Sequence, residues 1–333
     1  MAWIERHWQT RTALAVALYP ASLVFRLGAY TRKSLFRLGV LPVTHPQVPV
    51  VVVGNVSVGG TGKTPLVLWL AAFLREHGWR PGIVSRGYGG HVTTPRAVSL
   101  RDDPAACGDE AILLARRGGC PVWVGHDRVG AVRSLLAAHA ECNVILSDDG
   151  LQHYALARDF EIAVIDAERG LGNGWLLPAG PLREPAGRLD TVDAVVANGD
   201  VSNASITIRP LHRMRLEGRT FHNLLNPDHR VTAAELQPLK IHAVAGIGHP
   251  QRFFAHLQRL GLNFAAHAFP DHHAYEPGDL AFTDADAVVM TEKDAVKCER
   301  FATERYWVLP VDAVVEPALG QQLLRKLGHR DEQ

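Results

Sequence analysis

Lys63 and Thr64 close the run Ser57-Val58-Gly59-Gly60-Thr61-Gly62-Lys63-Thr64. Glycines at that density let a loop aim its N–H groups at an anion. The lysine supplies charge for β and γ phosphates, and the threonine hydroxyl a ligand for magnesium. The usual phosphate loop opens on glycine. Ser57 stands there instead, and Gly59, Gly60 and Gly62 keep the backbone free to turn. Magnesium needs a further carboxylate, and "CNVILSDDGLQHY" (142–154) offers Asp148 and Asp149 after a short apolar run. That is the carboxyl edge at which open α/β sheets bind ligands. Asp-Asp-Gly is also good turn chemistry.

Three other stretches carry candidate groups. "GIVSRGYGG" (82–90) brings Arg86 and Tyr88 to the end of a strand pattern. "CGDEAILLARRG" (107–118) puts Asp109 and Glu110 at a helix start, where acids also serve as caps and as partners of the helix dipole. "FPDHHAYEPGD" (269–279) sets His272 and His273 among acids, a setting for a general base, a metal ligand or a solvated loop. "TEKD" (291–294) resembles a guanine-reading motif, but its lysine is third rather than second, which favours ATP over GTP.

The elements that must position these groups follow a strand–helix rhythm. "VPVVVVGN" (48–55) reads as a buried strand leading into the loop. "GKTPLVLWLAAFLREHG" reads as the helix after it, with Leu66, Val67, Leu70, Phe73 and Leu74 on one face and Gly78 as the stop. Pro65 is acceptable in the first turn. "FEIAVIDA" (160–167) and "VDAVVAN" (192–198) continue the pattern, and "NASITIRP" reads as a connecting strand. From "KIHAVAGIG" the rhythm restarts, with a helix at 249–260 and strands in "NFAAHAFP", "DAVVMTEKD" and "YWVLPVD". The expected fold is therefore α/β: a P-loop NTPase-type parallel sheet with helices on both faces, a second smaller α/β domain, and an N-terminal helical segment. The boundaries read as 1–42 for the N-terminal segment, 43–205 for the phosphate-loop domain, 206–239 for a connection and 240–333 for the smaller domain.

Composition bounds the partners. The 333 residues carry a net charge of +1, which gives no general attraction for nucleic acid. Residues 1–42 hold six basic residues (Arg6, Arg11, Arg26, Arg32, Lys33, Arg37) against Glu5 alone, whereas the remainder holds 29 basic and 33 acidic residues. Within this basic segment "TALAVALYPASLVF" (12–25) is uncharged, and Trp3, Trp8, Tyr19 and Tyr30 flank or punctuate it. Fourteen residues interrupted by Pro20 fall short of a bilayer span. The expected role is an interfacial anchor on a membrane surface. A helix packed on the domain, a true span and a signal leader are the other readings. Cys107, Cys120, Cys142 and Cys298 form no metal or disulfide spacing and suit a reducing compartment.

Taken in order, "GNVSVGGTGKTP", "SRGYGG", "GDEAILLA", "SDDGLQHY", "LLPAGPLREP" and "FPDHHAY" resemble the tetraacyldisaccharide 4'-kinase family, the lipid A 4'-kinases of Gram-negative bacteria. The motifs span residues 54 to 275, and Ser57 agrees with a family that keeps no glycine there. The resemblance implies transfer of the ATP γ-phosphate to the 4'-hydroxyl of an acylated glucosamine disaccharide 1-phosphate, with magnesium, at the inner face of the inner membrane. It implies that Asp109 activates the hydroxyl and His272 supports it, with Lys63 on the phosphates. Thr64, Glu110, Asp148 and Asp149 fall around the metal, and Tyr88, Gln152, His153 and Arg183 towards the substrate. Arg183 or Arg188 would meet the 1-phosphate. Asp109 and His272 lie in different halves, so the two domains are expected to close on each other. Two rivals remain on the residues alone: a P-loop ATPase switch acting on a protein partner, and a soluble kinase for a small metabolite, which leaves the basic segment unexplained.

Overall fold

The computed structural model describes residues 7–200 and 211–328. Trp3, Glu5, Arg6 and the strand expected in "NASITIRP" lie outside the described residues. Strands β1 (Val50–Gly54), β2 (Pro81–Ser85), β3 (Arg96–Ala97), β4 (Val122–Val124), β5 (Val144–Asp148), β6 (Phe160–Asp166), β7 (Ala194–Asn198) and β8 (Leu211–Glu217) lie in one sheet. Strands β9 (Thr220–Asn223), β10 (Arg230–Thr232), β11 (Ile241–Ala245), β12 (Phe264–Ala268), β13 (Ala287–Thr291) and β14 (Tyr306–Leu309) form a second. The last strand, β15 (Asp312–Val315), returns to the first, giving the order β15-β8-β7-β6-β1-β5-β2-β4-β3.

The strands from β8 to β4 are mutually parallel, as a strand–helix alternation requires, and β3 and β15 cap the edges antiparallel. Alternate β1 residues serve opposite faces. Val51 and Val53 join the core under the helix Lys63–Glu76, while Val50 and Val52 join the core under the helix Arg128–Ala138. On the Lys63–Glu76 helix Leu66, Val67, Leu70 and Leu74 are fully buried as its periodicity predicts, and Ala71 is buried beside them.

The sheets divide the chain differently from a boundary at 240. β9 and β10, within the expected connection, belong to the second sheet. β15 and the helix Pro317–Gly328 belong to the first, where Leu319, Leu323 and Leu327 pack against the core of the Lys63–Glu76 helix. The second sheet is thus an insertion between β8 and β15. A linear reading misses this because β15 follows β14 by two residues with no change in composition.

The N-terminal segment also differs from expectation. The uncharged stretch lies within a helix of 25 residues, Ala13–Arg37, which runs through Pro20 and is long and apolar enough to cross a membrane by length and composition. One side docks on the first domain. The Ser22 hydroxyl donates to the Leu176 carbonyl at 2.8 Å and accepts from the Ala179 N–H at 3.0 Å, and Tyr19 meets the Trp175 ring at 4.6 Å. Trp8, expected at headgroup depth, is instead buried, with its indole N–H on the Pro178 carbonyl at 2.9 Å.

Candidate active site

The phosphate loop hangs between β1 and the Lys63–Glu76 helix. Gly59 and Gly62 have φ of 98° and 90°, the left-handed region that glycine enters without strain. At Gly62 a side chain would also strike the Asn198 amide, 2.5 Å from where its Cβ would lie. The loop carbonyls are tied back: Gly59 by Asn55 at 3.4 Å, Gly60 by Arg169 at 3.0 Å and Thr61 by Asn198 at 3.1 Å. The helix has no side-chain cap and no acid in its first turn. Its leading N–H groups and its positive end remain for an anion.

β5 lies beside β1 with Val53 opposite Asp148, so the acidic pair stands at the root of the loop. The two carboxylates have different environments. Asp149 takes a left-handed φ of 49° and faces Lys63 Nζ at 3.4 Å and Arg183 Nη1 at 3.1 Å. Burial works against its charge, but these two cations hold it well below the ordinary carboxylate range. Asp148 is buried, with Oδ2 accepting from Ser85 at 2.9 Å and Oδ1 without a hydrogen-bond partner. Burial, then the nearby charges of Glu110 and Asp149, push it up to about 7. An orphaned carboxylate oxygen at that depth is a donor a cation could use. A carboxylate and a hydroxyl, Asp148 and Thr64, are donor types compatible with magnesium. Among the described residues no group of three or more His, Cys, Asp or Glu gathers as a metal set.

The second half of the site crosses the sheets. Asp109 opens the helix Asp109–Arg117 and is buried. His272, from the loop after β12, has Nδ1 at 3.2 Å from both Asp109 oxygens. Its φ of 60° is left-handed, and its ring leans on Tyr88 at 4.8 Å. Burial pushes Asp109 up, but the His272 hydrogen bond and the Lys293, His272 and Lys297 charges outweigh it, leaving the carboxyl below its ordinary range. The two groups are already paired, so the closing motion expected from sequence is not needed to join them. Gly248 of the second half abuts Gly60 of the loop, its Cα 3.7 Å from where a Cβ at Gly60 would lie.

The remaining expected residues divide. Tyr88 lies beside the dyad. Glu110 is engaged by Lys293 at 3.1 Å. Gln152 donates to the Asn55 carbonyl at 3.1 Å and to Glu184 at 2.8 Å, bracing the strand–loop junction. His153 is pulled down to about 4 by burial and by Arg128 and Arg86. Arg183 holds Asp149, and Arg188 is buried against Glu161 and Glu184, so the suggestion that Arg188 meets a substrate phosphate does not survive. Sequence reasoning missed Lys293, whose TEKD motif has a sequence signal only as a near-match to guanine recognition. It also missed Arg128, buried with a donor on the Asp148 carbonyl at 3.2 Å. Burial pulls Arg128 down to about 10 although Asp148 and Asp149 oppose it, and no local pattern marks it out.

Known proteins match this chain over nearly its whole length. The family model for tetraacyldisaccharide-1-P 4'-kinase matches residues 14–328. The tetraacyldisaccharide 4'-kinase of Methylobacillus flagellatus is 49% identical over 98% of this chain and 96% of its own. That of Aromatoleum aromaticum is 51% identical over 97% and 96%. Among solved structures, "apo" form LpxK from Aquifex aeolicus in complex with ATP is 29% identical and covers 94% of this chain and 99% of its own, with a TM-score of 0.78. Sequence and overall fold agree, and the chain belongs to the tetraacyldisaccharide 4'-kinase family.

Proposed function

We propose that the chain works as its family does, as an ATP-dependent lipid kinase acting on the 4'-hydroxyl of tetraacyldisaccharide 1-phosphate in lipid A synthesis. The observation that carries this reading is the Asp109–His272 pair, completed across the two sheets beside the phosphate loop. A nucleotide switch that only hydrolyses ATP needs no carboxylate–imidazole pair from separate halves. A sugar hydroxyl is a poor nucleophile and gains from a positioned base.

The residues then divide the work. Loop N–H groups and Lys63 bind and neutralise the phosphates, which supplies most of the acceleration. As the new P–O bond forms at the 4'-oxygen, the bond from the γ-phosphorus to the bridging oxygen breaks and ADP leaves. The hydroxyl proton passes to Asp109, which His272 orients. Magnesium, held by Asp148 and Thr64, would add charge neutralisation at the phosphate oxygens. Glu110 and Asp149, bound to lysine and arginine partners, are its further candidates.

The N-terminal helix suits the acceptor. Val24, Leu27 and Tyr30 are 66–72% exposed, whereas Ala15 and Ser22 face the protein. A helix docked along one side and apolar on the other lies on a bilayer rather than through it. The exposed apolar side supports a working position on the cytoplasmic face of the bacterial inner membrane, where ATP and the acylated acceptor would meet.

The test is transfer from γ-labelled ATP to tetraacyldisaccharide 1-phosphate in detergent micelles. Label on the lipid that disappears in Lys63→Ala is the expected result. Free phosphate without labelled lipid would overturn the kinase reading in favour of a switch.

A further inference from the structure

The Thr291-Glu292-Lys293-Asp294 run has no guanine to read, yet each of its residues is engaged. Thr291 caps the helix Glu292–Cys298 through the Asp294 N–H at 3.2 Å. Asp294 is fully buried and accepts from the Gly246 N–H at 3.1 Å and the Tyr275 hydroxyl at 3.2 Å. Glu292 reaches Arg117 of the first half at 2.7 Å. The first turn of this helix is therefore pinned on both sides, and Lys293 projects from it into the dyad.

Its ammonium faces Glu110 Oε1 at 3.1 Å, Asp271 Oδ1 at 3.2 Å and His272 Nε2 at 3.4 Å. Three N–H bonds meet three acceptors, one from the first half and two from the second. Lysine has donors and no acceptor. At its contact with His272 the ring nitrogen Nε2 must therefore accept. The hydrogen of the neutral ring then sits on Nδ1, where it points at Asp109. The opposite tautomer would set an N–H against the ammonium and a lone pair against the carboxylate. The left-handed backbone of His272 adds a need for outside support, since side-chain residues hold that conformation only where their surroundings fix it.

We propose that Lys293 is a positioning residue of the phosphoryl transfer: it locks His272 in the Nδ1–H tautomer and ties the ring to Glu110 across the two sheets, leaving Asp109 as the proton acceptor. Lys293 acts through His272 and Glu110 and not on the reacting atoms. The inference deepens the kinase reading above and rests on it for its kinetic consequence, while the tautomer itself is observable without turnover.

The experiment has two arms on the full chain. In the first, histidines carry nitrogen-15 and the His272 signals are assigned by difference from His272→Ala. The expected wild-type pattern is a protonated Nδ1 and a bare Nε2, with that preference lost in Lys293→Met. A protonated Nε2 in the wild type would overturn the proposal, whether or not any Lys293 variant folds. In the second arm, Lys293→Met lowers kcat on the order of 10²-fold with KM for ATP within about threefold, as loss of alignment does. Lys293→Arg recovers part of the loss, and in a His272→Ala background Lys293→Met costs less than about threefold more. Equal losses in both backgrounds would show that Lys293 works without His272 and would overturn the proposal. Wild-type protein that labels no lipid yet shows the Nδ1–H pattern would remove the kinase reading while leaving the tautomer lock intact.

Discussion

The two halves of the site are built in opposite ways. The phosphate half comes from one strand, one loop and one helix, with Asp148 and Asp149 delivered by the adjacent strand. The proposed acceptor half joins Asp109 to His272 across 163 positions of sequence and adds Lys293 from a third segment. A local unit keeps its geometry through backbone conformation, as Gly59 and Gly62 do. A long-range unit keeps it only through the packing of one sheet on another. The first should therefore fail through its own residues, and the second also through residues that merely set the spacing.

The largest effect tests the first half. Lys63→Ala should lower kcat about 10³-fold and raise KM for ATP, because it removes the charge aimed at the transferring phosphates. Thermal unfolding should change little, since Lys63 has Asp149 as its partner and Asp149 keeps Arg183. Steady-state kinetics checks this, and an unchanged KM for ATP would break the division of labour. Next, Asp109→Ala and His272→Ala should each cost about 10²-fold in kcat with KM for ATP nearly unmoved. Because the pair acts as a unit, the double variant should fall no further than about threefold below either single one. Additive losses would mean two independent roles.

The same contrast explains what was legible in the sequence. Strand, loop and helix around Lys63 are neighbours in the chain, so periodicity and glycine spacing announce them. Asp148 and Asp149 were legible as a pair, but their division was not. That one would be buried with a free oxygen and the other clamped by Lys63 and Arg183 depends on β5 ending at Asp148 and on the left-handed turn at Asp149, with partners from distant segments. His272 carried a signal only through the family resemblance, because two histidines among acids are equally a wet loop. Lys293 shows in the sequence only as the misplaced lysine of a failed guanine motif, because its partners Glu110, Asp271 and His272 come from two other segments. The return of β15 to the first sheet was hidden for the same reason: pairing with β8 lies nearly a hundred positions upstream.

A smaller effect probes the spacing itself. A Cβ at Gly248 would stand 2.7 Å from the Gly60 backbone nitrogen, an atom that cannot swing away, and 3.3 Å from Asp271 Oδ2. Gly248→Ala should push the phosphate loop and the dyad apart by a fraction of an ångström. The expected result is roughly a tenfold loss of kcat/KM for the lipid although no functional group is removed. A rate equal to wild type would mean that the halves tolerate separation.

Asp148 gives a pH effect of comparable size. Burial raises it from an ordinary 3.8 to about 7, so the folded protein holds a proton that the unfolded chain has released. The sign follows: the stability associated with this group is fully present below about pH 4 and is lost as pH rises towards 7. A cation must displace that proton. Magnesium affinity measured by titration calorimetry should therefore tighten up to about tenfold per pH unit below 7 and level off above it. In Asp148→Asn the slope should vanish, and a slope that persists would place the titrating ligand elsewhere.

The smallest effect on rate separates the site from its anchor. Leu23, Val24 and Leu27 stand on the exposed side of the N-terminal helix, away from the Ser22 contact that docks it. Changing all three to serine removes apolar surface without touching the hydrogen bonds to Leu176 and Ala179. Each buried leucine or valine is worth about 1.5–3 kcal/mol of transfer. The triple variant should therefore move from the membrane fraction to the soluble fraction on sedimentation with vesicles. Its kcat on micellar acceptor should stay within about threefold of wild type, because neither half of the site touches that face. If membrane binding survives, the basic residues carry the attachment and the apolar side does not. If micellar turnover collapses instead, the helix belongs to the acceptor site itself, and the contrast between a local phosphate half and an assembled acceptor half would have to include it.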